Sequence, residues 1–168
     1  MKISVGQELP HARLSQMTAD GPKTINLIAL TKDKKVVLIG MPGAFTQTCN
    51  NQHLPSLIKN SSALYKKGVD EIICVIVNDI HVAKAWSEIT GANKAGIKIL
   101  SDLESKFAIS TGLSFSAPKV GFFNRLQRVL IILDGNVIKH IQLEEHRGKC
   151  ELTSGDSVLS LFENTLVN

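Results

Sequence analysis

The sequence predicts an α/β fold, with a mixed central sheet flanked by helices and a hairpin extension at the N-terminus. Three observations carry this expectation. "KKVVLIG" and "DEIICVIV" are continuous β-branched and apolar runs, the pattern of strands buried on both faces. Segments with apolar residues at helical spacing and polar residues at their starts alternate with those runs. Near the end, "RVLIIL" and "NVIKHIQL" flank Asp134-Gly135, a strong hairpin signal.

The elements follow in order. "ARLSQM" and "KTINL" flank the turn "TADGP", which predicts the N-terminal hairpin. After "KKVVLIG", residues from about 47 to 67 place Leu54, Leu57, Ile58 and Leu64 on one helical face, and the helix ends at Gly68. "DEIICVIV" is the next strand. "NDIHVAKAWSEITG" is a helix with Asn78 or Asp79 as N-cap and Gly91 just past its end. "IKIL" is a third strand, and "SDLESKFAISTG" reads as a capped helix. The final hairpin leads into "TSGDSVLSLFENTL", an amphipathic helix with Thr153 or Ser154 as N-cap. Parallel strands joined by helices, closed by an antiparallel hairpin and a helix, give the thioredoxin-like architecture. A fold of this kind does not name a function.

At 168 residues the chain is expected to form one domain, burying about two thirds of its unfolded surface. No apolar segment reaches the length of a membrane-spanning helix, and "MKISVGQELP" lacks the apolar core of a secretory signal. A cytoplasmic protein without a membrane partner is therefore expected. The net charge of +4 comes from scattered basic residues, and the few aromatics form no stripe among them, which argues against nucleic acid. Three cysteines, Cys49, Cys74 and Cys150, are an odd number with wide spacing, which does not describe a secreted disulfide framework. No CxxC pair is present for a zinc ribbon or a redox dithiol. A single reactive thiol in a reducing compartment is what these counts leave open.

Cys49 is the candidate. It stands in "MPGAFTQTCNNQHLP", directly after the strand "VVLIG", and falls in the first turn of the following helix. Free backbone N–H groups and the helix dipole favour a thiolate there, although a nearby cation is also needed for a large effect. Thr46 precedes Cys49 by one helical turn, so its hydroxyl can face the same pocket. Pro42 has no N–H to compete for a ligand.

"PGAFTQTC" fits the P-x-x-x-T-x-x-C motif, and the wider stretch "VVLIGMPGAFTQTCNNQHLP" resembles the peroxiredoxin-5 group, or type II peroxiredoxins. The likeness continues through "KKGVDEIICVIVNDIHVAKAW", "RLQRVLIILDGNVIKHIQLE" and "SGDSVLSLF". The resemblance implies a thiol peroxidase of hydrogen peroxide and alkyl hydroperoxides, with no cofactor and no metal. It implies a homodimer, regenerated by thioredoxin or by glutaredoxin and glutathione. By position, Cys49 matches the peroxidatic cysteine, Thr46 the threonine that bonds the peroxide, and Pro42 the proline that shields the thiolate. Arg128 matches the arginine that holds the thiolate, with Arg125 as a rival three residues earlier. Four positions depart from the family pattern: Gln47 for Pro, Asn50 for Ser, Ser56 for Gly and Val129 for an aromatic residue.

For resolution of the oxidised cysteine the resemblance offers two partners. Cys74 keeps the spacing of the plant type II proteins but lies within the strand "IICVIV". Cys150 lies close to the resolving cysteine of the animal proteins, in a polar stretch before the last helix. Resolution by an external thiol is the one-cysteine alternative. His53 follows Cys49 by four residues, a spacing that suits half a metal site or, better, a packing or hydrogen-bonding role beside the pocket. Trp86 reads as core. A thiol–disulfide oxidoreductase is disfavoured because Thr46 occupies the place of a second cysteine. A redox sensor using the same thiol would be oxidised once rather than turn over.

Overall fold

A computed structural model describes residues 2–164. The N-terminal hairpin forms as expected, from β1 (Arg13–Thr18) and β2 (Gly21–Asn26), paired in antiparallel register. Asn26 then caps a short helix, α1 (Leu27–Thr31), by accepting a hydrogen bond from the Ala29 N–H. That helix was not anticipated. It follows from an Asx cap placed directly before Leu27.

The central strands are β3 (Lys35–Met41), β4 (Glu71–Ile76) and β5 (Ile97–Ser101), and they run parallel. α2 (Leu54–Lys66) connects β3 to β4, and α3 (Ile80–Thr90) connects β4 to β5. Asp79 is the N-cap of α3, accepting from the N–H groups of His81 and Val82, and Gly91 ends it in the left-handed region at φ +79°. Asn78, the other N-cap candidate, turns the opposite way, toward the loop after β3.

β8 (Val129–Asp134) pairs antiparallel with β3, and β9 (Val137–Leu143) pairs with β8 around the Gly135 turn. The seven-stranded order is β2-β1-β5-β4-β3-β8-β9. Alternation along β3 places Val37, Ile39 and Met41 in one core and Val36 and Leu38 in the other. The first core packs under α2, α3 and α5 (Gly155–Glu163), and it contains Cys49, Cys74 and Trp86. The second packs under α1 and α4 (Lys106–Ser110), through Leu27, Phe107 and Ala108.

Two local expectations are corrected. The helix read over "SDLESKFAISTG" shrinks to the five residues of α4, because Ser101 belongs to β5. Asp102 caps α4 instead, accepting from the N–H groups of Phe107 and Ala108, while Ser105 takes a φ of +56°. Residues 114–126 carry an unanticipated second hairpin, β6 (Ser114–Ala117) and β7 (Phe122–Leu126), around a 3-10 turn at Pro118–Val120. Its residues are mostly half-buried or exposed, so no long apolar run marked it. The last helix is capped by Ser154, whose side chain accepts from the Ser157 N–H. Thr165 and Leu166, read as part of that helix, lie outside the described residues.

At Gly155 the backbone of α5 lies directly against that of α2. A Cβ there would stand 2.1 Å from the Ser56 carbonyl oxygen, so only glycine fits. Ser56 Oγ accepts from the Gly155 N–H at 2.9 Å and donates to the His53 carbonyl at 2.7 Å. The departure from glycine at position 56 thus adds a bond between the two helices.

Candidate active site

The strand β3 ends at Met41, and the loop Pro42–Phe45 turns the chain into the helix that bears Cys49. The first helical bond runs from the Asn50 N–H to the Thr46 carbonyl at 2.8 Å. The N–H groups of Gln47, Thr48 and Cys49 therefore precede the helical ladder, which places Cys49 where the sequence put it. Residues Cys49–His53 form a π-turn before α2 begins, and such turns often mark functional sites. Asn50, a departure from serine, accepts from Trp86 Nε1 at 2.9 Å and ties this turn to the buried core tryptophan.

Cys49 is fully buried, and Arg128 is 3% exposed. Arg128 Nη2 donates to Cys49 Sγ at 3.5 Å and to the Arg147 carbonyl at 3.2 Å. Arg128 Nη1 donates to His53 Nδ1 at 2.8 Å. Of the two rival arginines, it is Arg128 that reaches the sulfur. Among the described residues no carboxylate forms a salt bridge with Arg128, and its Nε has no partner. A buried guanidinium without a counter-ion is costly, and the nearest group able to become an anion beside it is the Cys49 thiol.

His53 completes the arrangement. Arginine has no lone pair to accept with, so Nδ1 must be the acceptor and Nε2 carries the proton. Nε2 donates to the Thr153 carbonyl at 2.8 Å. Burial and the adjacent Arg128 charge push the imidazole pKa down to about 3, so the ring is neutral at ordinary pH. Its role is hydrogen bonding beside the pocket. Among the described residues no cluster of three or more His, Cys, Asp or Glu side chains is placed to hold a metal.

Thr46 Oγ1 donates to the Gly43 carbonyl at 2.9 Å. With its proton committed, the hydroxyl is left with lone pairs to accept from a donor in the pocket. Pro42, Thr46, Arg128, Phe115, Phe122 and Arg147 line a cavity of about 220 Å³. A larger depression of about 650 Å³ lies by Arg13, Asp102 and Lys106, but no cysteine lines it.

A segment between β9 and α5 borders this cavity. Arg128 and His53 hold it through the carbonyls of Arg147 and Thr153, and Thr48 Oγ1 donates to the Gly148 carbonyl at 2.8 Å. The Arg147 guanidinium stacks 4.5 Å from the Phe115 ring centroid. Glu144 Oε1 staples the segment, accepting from the N–H groups of Glu151 and Thr153 and from Thr153 Oγ1.

A Redoxin family model matches residues 4–159 of the chain. Peroxiredoxin-2B of Arabidopsis thaliana is 35% identical over 158 residues, covering 94% of this chain and 96% of that protein. The chain belongs to the peroxiredoxins. Peroxiredoxin-2E-2, chloroplastic, of Oryza sativa subsp. japonica is 42% identical over 85% of this chain, which spans 65% of that relative's length. Among solved structures, reduced Prx3 of Vibrio vulnificus in complex with hydrogen peroxide matches with a TM-score of 0.90 at 37% identity, over 95% of this chain and 99% of that one.

In this peroxiredoxin the other two cysteines occupy different settings. Cys74 lies mid-strand in β4, hydrogen-bonded between β3 and β5, and burial raises its thiol pKa far above the ordinary range. Cys150 is half-buried on the segment before α5, and burial pushes its thiol up to about 11. No disulfide links the three. Asn78, Arg125 and Arg147 were not singled out as a group by the sequence; their contacts join distant segments, and no spacing signals them.

Proposed function

We propose that the chain is a thiol peroxidase that reduces hydrogen peroxide and alkyl hydroperoxides at Cys49. The observation that carries this reading is the buried Arg128 guanidinium, without a carboxylate partner, donating to Cys49 Sγ at 3.5 Å. The Cys49 thiolate attacks one peroxide oxygen along the O–O axis. The S–O bond forms as the O–O bond breaks, sulfur is oxidised to a sulfenic acid, and the other oxygen leaves with the bonding pair and takes up a proton as water or alcohol. Arg128 holds the thiolate before the step and opposes the charge developing on the leaving oxygen during it. Thr46 accepts a hydrogen bond from the peroxide hydroxyl, and Pro42 shields the sulfur from bulk water.

For the return half of the cycle, Cys150 is the internal resolving group favoured over Cys74. Cys74 is locked between two paired strands. Cys150 lies on a segment whose release breaks side-chain bonds and no sheet ladder. Its thiol attacks the sulfenic sulfur, water leaves, and the disulfide is reduced by thioredoxin or by glutaredoxin and glutathione. A disulfide requires Cα atoms within about 7 Å, which is the separation the segment has to allow for the bond to close. Exposed apolar side chains at Phe45, Val120 and Phe123 support a homodimer formed beside the cavity. Peroxide consumption measured with each reductant system in parallel tests the function. Mass mapping after one equivalent of peroxide tests resolution: a Cys49–Cys150 peptide supports it, and Cys150 still alkylatable beside an oxidised Cys49 contradicts it.

A further inference from the structure

The loop that presents Thr46 is strained and clamped. Phe45 takes a φ of +59°, unfavourable for a side chain of its size, and such a conformation persists only where its surroundings over-determine it. Two side chains from other elements clamp the residues just before it. Arg125, on β7, donates through Nη1 to the Pro42 carbonyl at 3.2 Å and to Asn78 Oδ1 at 3.1 Å. Asn78 Oδ1 also accepts from the Ala44 N–H at 3.0 Å. The peptide units on both sides of Gly43 are thereby held by one connected pair. A Cβ at Gly43 would stand 2.6 Å from Arg125 Nη1, so the backbone is pressed directly onto the clamp.

The Gly43 carbonyl, fixed between those two held groups, is the acceptor for Thr46 Oγ1. We propose that Arg125 and Asn78 are positioning residues that aim the Thr46 hydroxyl by fixing the Gly43 peptide, and so tune the reaction of Cys49 with peroxide. Rotation of that peptide would turn the carbonyl away from Thr46. The hydroxyl proton would then be free to point into the pocket, where an acceptor is required. Arg125 acts through the loop and leaves the sulfur to Arg128. The Phe122 ring, 5.0 Å from the Arg125 guanidinium carbon, holds the side chain in line. This inference rests on the peroxidase reading of Cys49.

A double-mutant cycle tests it, with stopped-flow rates of Cys49 oxidation by hydrogen peroxide and of Cys49 alkylation by iodoacetamide. Asn78→Ala is expected to slow peroxide oxidation roughly 10- to 100-fold, the scale of a displaced catalytic contact, while alkylation changes much less. Asn78→Asp keeps an acceptor for Arg125 and Ala44 and is expected to restore most of the peroxide rate. In a Thr46→Val background, where no hydroxyl remains to be aimed, Asn78→Ala is expected to add little further loss. Arg125→Met, which keeps much of the side chain's length but removes the Nη1 donor to Pro42 and Asn78, should follow Asn78→Ala in both backgrounds. Equal fractional losses with and without Thr46, or equal losses of oxidation and alkylation, would overturn the positioning role. Failure of the wild-type chain to react rapidly with peroxide would instead remove the peroxidase reading beneath it.

Discussion

Arg128 Nη1 and His53 Nδ1 lie 2.8 Å apart, and the contact fixes the protonation of both partners. The arginine can only donate, so the histidine accepts and remains neutral. Protonating His53 would set two cations against each other inside the core. The buried imidazole therefore orients the guanidinium at a site where a carboxylate would have competed with the thiolate for its charge.

A pH dependence of stability follows. The His53 pKa is near 3 when folded, against 6.5 for an ordinary histidine. Between those values the unfolded chain binds the proton and the folded chain does not. Stability is thus complete above about pH 6.5 and falls as the medium is acidified toward pH 3. His53→Gln, whose amide can accept from Arg128 and donate to Thr153, lacks this titration. Its stability deficit relative to the wild type in urea unfolding should shrink below pH 6, by up to about 1.4 kcal/mol per pH unit. A deficit independent of pH from 7 to 5 would mean that His53 titrates normally.

Arg128→Ala should slow oxidation of Cys49 by peroxide about 100- to 1,000-fold, the scale for losing a donor to transition-state charge. Arg128→Lys should recover only part of the rate, because a single ammonium cannot reach Sγ, His53 and the Arg147 carbonyl together. Stopped-flow measurement of both variants checks this.

Glu144→Ala should loosen the segment that carries Cys150. Burial raises the Glu144 pKa, but hydrogen bonds from Thr153, Leu152 and Glu151 outweigh it and hold the carboxylate below its usual range. Its contribution is present above the ordinary carboxylate pKa and is lost as pH falls through the depressed folded value. The readout is Cys150 alkylation at neutral pH. It should be faster in Glu144→Ala than in the wild type, and an unchanged rate would show that the staple does not restrain the segment.

Gly155→Ala tests the contact between α5 and α2. The added methyl would meet the Ser56 backbone, which cannot yield without moving a helix. A loss of about 1–3 kcal/mol is expected in urea unfolding, typical of overpacking. A neutral outcome would show that α5 is free to shift.

The parallel core and the closing hairpin were legible because long apolar runs in β3, β4 and β8 leave few other readings. The β6–β7 hairpin was not, since its half-exposed strands carry no strong periodicity, though the Pro118 and Gly121 punctuation around its turn was available. At the site, Cys49, Thr46, Pro42 and Arg128 could be named from one local motif and one strand start. Arg128 is favoured over Arg125 by its place against "VLIILDG", and the fold sets Arg128 Nη2 3.5 Å from Cys49 Sγ while Arg125 turns to the Pro42 loop. His53 was legible as a hydrogen-bonding residue near the pocket, but its partners lie far away in sequence. Asn78 looked like a helix cap, and only the fold shows its side chain reaching back to the loop after β3.

The most direct test of the central claim is steady-state peroxide consumption, with thioredoxin and with glutathione plus glutaredoxin, by the wild type, Cys49→Ser and Cys74→Ser. The account predicts many turnovers for the wild type and Cys74→Ser, and none for Cys49→Ser with its circular dichroism spectrum unchanged. Turnover of Cys49→Ser at a rate near that of the wild type would contradict it.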